Sequence, residues 1–154
     1  MAIRISPEER LMYLIMIAGS GNQMLYEVYR ESDTETKRRI LNVMAKNMQQ
    51  LEAVMDAYGL ERNPEGVARA MILTEDLIGC EPAGELLSTS NDEAVRKVTH
   101  CPWAASYSDD GGTCRLVMAA MQEGIGRQHG LEIFCEQNLA EGAEYCIWKV
   151  RKKD

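Results

Sequence analysis

Five cysteines stand in this 154-residue chain, and four of them fall in its last third: Cys101 within His-Cys-Pro-Trp, Cys114, Cys135 and Cys146. Thiols so gathered can ligate a soft metal, supply a nucleophile or pack as small hydrophobes. Zinc and iron sites usually show cysteine pairs two to four residues apart. Here the intervals are 13, 21 and 11 residues, so spacing alone favours packed thiols over a metal centre. Cys114 is placed in the first turn of a helix, where the positive end of the helix dipole favours thiolate and lowers the pKa. His100 precedes Cys101 directly, and neighbours on a strand point to opposite faces; a partnership of His100 with a thiol of another element is the better reading. His129, at the end of a helical stretch, reads as a carboxyl-end cap.

The elements that must position these thiols can be read from the pattern. Ser6-Pro7 with Glu9 begins a helix to about Arg30. Its Leu11–Ala18 segment is apolar on every side, which predicts burial all round, with a subunit interface covering what the core does not. Ser32-Asp33-Thr34-Glu35 opens a second helix, with Ile40, Met44, Met48, Leu51, Met55 and Tyr58 on one stripe and Gly59 as its cap. Asn63-Pro64-Glu65 opens a third, closed by Gly79. The ten methionines mostly follow this helical spacing and read as core, and Cys80 reads as structural.

After Pro82 the period changes. Residues 85–90 and 94–101 read as a hairpin across Ser-Asn-Asp-Glu, and a helix begins near Thr113 after Asp109-Asp110-Gly111-Gly112. Leu131, Ile133 and Cys135 alternate with polar or outward residues, as do Cys146, Trp148 and Val150 across the Gly142 turn. The fold class is therefore α+β: three helices over 1–80, then a β-β-α-β-β antiparallel unit over 81–154, within one domain. Cys135 and Cys146 lie on the inward faces of one hairpin beside an indole. Net charge of −7 argues against nucleic acid, the longest apolar run is too short to cross a membrane, and the amino terminus shows no signal pattern. The reading is a cytoplasmic protein with reduced thiols. Phosphate-loop, nucleophile-elbow and dinucleotide motifs are absent from the sequence.

Val98-Thr99-His100-Cys101-Pro102, Cys114 opening a helix, Phe134-Cys135 and Tyr145-Cys146-Ile147-Trp148 resemble the pattern of the L-2-amino-thiazoline-4-carboxylate hydrolase-like family over about the last sixty residues. The closing Glu136–Trp148 stretch is also similar to the end of the 4-vinyl reductase small-molecule-binding domain. The first resemblance implies a hydrolase acting on a cyclic amidine C–N bond. Its nucleophile would be Cys114 with His100 as helper, or else a zinc or iron ion held by Cys101, Cys135 and Cys146 would activate water. Glu136 or Asp110 would lend acid–base help. The second implies a non-catalytic module that holds a small molecule or metal between helices and sheet, near Trp103 and Trp148. The hydrolases carry an acidic residue three positions after the helix cysteine, where this chain has Val117, and that favours the binding module. A third reading is an interaction protein, a homodimer through the apolar first helix.

Overall fold

The computed structural model describes residues 6–77, 84–101, 103 and 111–153, with the side chains of 8–11 and 15 outside the description. Gly79, Cys80, Asp109 and Asp110 lie outside the described residues, and so do the expectations placed on them. The architecture is α+β, with helices preceding a four-stranded antiparallel sheet.

The helical half holds α1 (Pro7–Glu31), α2 (Thr34–Met48), α3 (Gln50–Ala57) and α4 (Pro64–Leu77). Asp33 caps α2 by accepting the Thr36 N–H at 2.7 Å. The single second helix expected from the methionine stripe is two helices, broken at Gln49, whose N–H still reaches the Ala45 carbonyl at 3.3 Å. The stripe survives the break: Met44, Leu51 and Met55 are all buried.

The sheet half holds β1 (Gly84–Thr89), β2 (Glu93–Val98), α5 (Gly112–Met121), β3 (Leu131–Gln137) and β4 (Cys146–Lys152), in the spatial order β1-β2-β4-β3. Between α5 and β3 the helix widens into a π turn over Gln122–Gly126. There Gln122 anchors the next strand at two points, donating to the Leu131 carbonyl at 3.1 Å and accepting the Ile133 N–H at 2.6 Å. Gly124 fits against α2 so closely that a Cβ on it would lie 2.3 Å from the Ala45 carbonyl oxygen. The Gly124-x-Gly126 pair is thus a packing device.

Period-two alternation sends Ala94, Arg96 and Val98 from β2, Leu131 and Ile133 from β3, and Cys146, Trp148 and Val150 from β4 into the core. They meet Leu51, Met55, Val67 and Met71 from α3 and α4. A second cluster of Met44, Leu116 and Ala120 joins α2 to α5 and takes in Tyr26 and Tyr29 of α1.

One expectation fails within a single copy. Met12, Tyr13, Leu14, Met16 and Ile17 are 49–64 % exposed, so these residues of the segment predicted to be buried all round face outward. Met12, Met16 and Met24 are correspondingly not core. The packing of α1 on α2 and α5 runs through Tyr26 and Tyr29, away from these residues. No helix among the described residues is long and apolar enough to cross a membrane.

Candidate functional site

Strand order decides which cysteines can meet. β2, β4 and β3 are successive neighbours, and the register sets Cys146 opposite Val98 and Cys135 opposite Trp148. Residues paired across antiparallel strands share a face, so Cys135 and Cys146 look inward together, one pair apart. Cys101 leaves β2 at the same end of the sheet and packs against the same core, half-buried. Cys114 comes from above, in the first turn of α5.

Two devices seat α5 there. Gly111 adopts a left-handed φ of 81° just before the helix, a conformation that favours glycine. Arg115 forms an ion pair with Glu141 in the 3-10 turn Leu139–Glu141 that joins β3 to β4. Asn138, almost fully buried, begins that turn by accepting the Glu141 N–H on its side chain at 3.0 Å. The next backbone N–H, that of Leu139, donates to the Cys146 sulfur at 3.3 Å.

The thiols then differ sharply in acidity. Cys146 falls from 9.0 to about 7, first because Cys135 hydrogen-bonds to it, with the Leu139 N–H and the nearby Arg96 guanidinium also favouring thiolate against the cost of burial. Cys135 moves strongly the other way, because its proton is what stabilises Cys146 and because burial and the Cys146 charge oppose a second thiolate. Its sulfur lies 2.8 Å from the Gln137 carbonyl oxygen, which competes with Cys146 for the single S–H. Cys114 is pushed up to about 12 by burial and by the neighbouring Cys146 and Cys101 sulfurs. This runs against the expectation that the helix N-terminus acidifies Cys114: burial first, then the neighbouring sulfurs, favour the neutral thiol. None of these four cysteines is in a disulfide.

Beneath the thiols lies a group that sequence reasoning missed. Arg96 is 2 % exposed and gives both terminal nitrogens to Glu75 of α4, at 2.8 and 2.9 Å. Its guanidinium lies 5.2 Å from the centre of the Trp148 ring, which faces it across β2 and β4, and its Nε has no partner among the described residues. Alternation of Ala94, Arg96 and Val98 is the signal that could have found it, since it sets an arginine in a row of core positions.

The remaining expected residues stand elsewhere. His100 is exposed beyond β2 and does not share the burial of the thiols. His129 pairs with Glu52 of α3, tying the end of the π turn to the helical half. Glu136 faces outward and holds Lys149 at 2.6 Å. Trp103 is half-buried. Among the described residues, no group of three or more His, Cys, Asp and Glu side chains could hold a metal ion. As placed here, Cys101, Cys135 and Cys146 do not fit zinc or iron: the Cys135 S–H is engaged by the Gln137 carbonyl instead of a shared centre. No family model matches the chain, and no curated protein matches it.

Proposed function

We propose that the chain is a small-molecule-binding module whose ligand meets the thiol-bearing end of the inner sheet face, with the Cys146 thiolate as the contact group. The observation that carries this reading is the gathering of Cys101, Cys135 and Cys146 at one end of the core, with the Leu139 N–H donating to the Cys146 sulfur at 3.3 Å; the lowered pKa of Cys146 agrees with it. Such a sulfur is charged near neutrality and prefers an electron-poor carbon or a polarised N–H group. Trp148, buried beside Arg96, and the half-buried Cys101 and Cys135 line that end of the core next to it.

Hydrolytic opening of a cyclic amidine is the second reading, and the same thiolate favours it, with Cys146 taking the nucleophile's part expected of Cys114. Among the described residues, the neighbouring carboxylates are engaged elsewhere. Glu75 is held by Arg96, and Glu136 points away.

The test is calorimetric titration of reduced protein with L-2-amino-thiazoline-4-carboxylate, followed by mass spectrometry of the small molecule. Binding that is lost in Cys146→Ser, with the ligand recovered unchanged, supports the module. A gain of one water on the ligand, abolished by the same substitution, supports the hydrolase. Cys146 that neither affects binding nor reacts with iodoacetamide in folded protein removes both readings.

A further inference from the structure

Eight apolar residues of α1, from Met12 to Val28, are 38–70 % exposed. Fully exposed side chains of this size carry on the order of 150–200 Å² each, so together they show on the order of 800 Å² of apolar surface. Met12 and Met16 fall on the opposite side of α1 at about 3.6 residues per turn, so the six that share a face show on the order of 600 Å², the upper end of the roughly 300–600 Å² of the largest patch on an ordinary monomer.

The pattern inside this patch says what shape covers it. Leu14, Ala18, Gly21, Leu25 and Val28 follow one another at steps of four, three, four and three, the 3.5-residue period of a helix that packs on another helix. Leu14, Ala18, Leu25 and Val28 are exposed, and a Cβ on Gly21 would meet nothing within 4 Å. The seam is large at both ends and smallest at Gly21. Laid antiparallel on itself about Gly21, it sets Leu14 against Val28, with the two glycines at the crossing where backbones come closest, and brings Leu25 to Ile17, which is exposed at the seam's flank. Such self-complementarity is what a two-fold contact requires.

Charge agrees. From Leu11 to Tyr26 the sequence has no charged residue, so two copies meet there without apposing like charges, although each carries a net −7. The same net charge opposes an anionic lipid surface. Tyr26 packs against Gly112 and, with Tyr29, fixes α1 to α2 and α5, which leaves the seam on the outer side.

We infer that the outer face of α1 is an interface for a second copy of this chain, formed by antiparallel α1–α1 packing centred on Gly21. The interface is independent of the thiol site. It predicts a dimer by sedimentation equilibrium of reduced protein at micromolar concentration, and for Leu14→Glu a monomer with unchanged far-ultraviolet circular dichroism whose melting no longer depends on protein concentration. Because a two-fold sets Gly21 against itself, the Gly21→Cys variant should form a covalent dimer on mild oxidation, while Lys46→Cys, on exposed α2, should not. A monomeric parent overturns the inference, as does a dimer that survives Leu14→Glu or a dimer in which Gly21→Cys fails to cross-link. Monomer that co-sediments with phosphatidylcholine vesicles through this face overturns it in favour of a lipid surface.

Discussion

A thiol is acidic or inert according to what touches it, and Cys135 and Cys146 divide that property between them. One proton is shared by two sulfurs, so Cys146 gains acidity at the expense of Cys135. Alkylation of folded protein should therefore begin at Cys146 with a midpoint near pH 7, and Cys114 should stay slow to well above pH 9. Cys135→Ala removes the donor and should move the Cys146 midpoint up by about one pH unit or more. Peptide mapping across a pH series reads all three outcomes, and equal rates at Cys114 and Cys146 would contradict them. The same shifts act on stability. The folded thiolate of Cys146 lends stability that is complete above the 9.0 of an unfolded thiol and is lost as pH falls through about 7. Cys114, whose pKa rises on folding, acts oppositely: its contribution is present below 9.0 and fades as pH climbs toward 12.

Elements were largely legible because their signals are local. The capping residues Pro7 and Asp33, the left-handed Gly59 and the alternation of Leu131, Ile133, Cys146 and Trp148 each report on a few neighbouring residues. The break at Gln49 was not legible, since Met48-Gln-Gln-Leu51 contains neither glycine nor proline and the apolar stripe runs straight across it. Nor was the role of Gly124, which depends on α2 lying against the π turn from some eighty residues away. Gly124→Ala should force the π turn off the Ala45 carbonyl and cost about 1–3 kcal/mol, as overpacking of backbone against backbone does. Gly21→Ala, where a Cβ meets nothing in a single copy, should by comparison leave monomer stability unchanged or raise it slightly. Paired urea denaturation curves compare them.

At the scale of the whole molecule, the helical half and the sheet half are joined through a core with one charged pair in it. Arg96 reaches from β2 to Glu75 on α4, so replacing Arg96 by Met leaves Glu75 without its cation and should cost about 3 kcal/mol. The figure stands at the low end for such pairs because Glu75 keeps 18 % of its side chain exposed. Adding Glu75→Gln to Arg96→Met should recover most of the loss, and denaturant titration of the two variants checks it. Sequence composition could not disclose this pair, because Glu75 and Arg96 are 21 residues apart and any other acidic residue could have been Arg96's partner. Exposure of α1 was hidden for a related reason: an apolar segment announces that it will be covered, and says nothing of whether its own chain does the covering.

The short connection between β3 and β4 has a reach beyond its length. Through the Leu139 N–H it touches the sulfur of Cys146, and through Glu141 it holds Arg115 at the start of α5. Any ligand, contact or substitution that shifts this turn must alter the acidity of one thiol and the seating of another in a single movement. The ionisation of Cys146, followed by its ultraviolet thiolate absorbance, is thus a built-in gauge of where α5 rests.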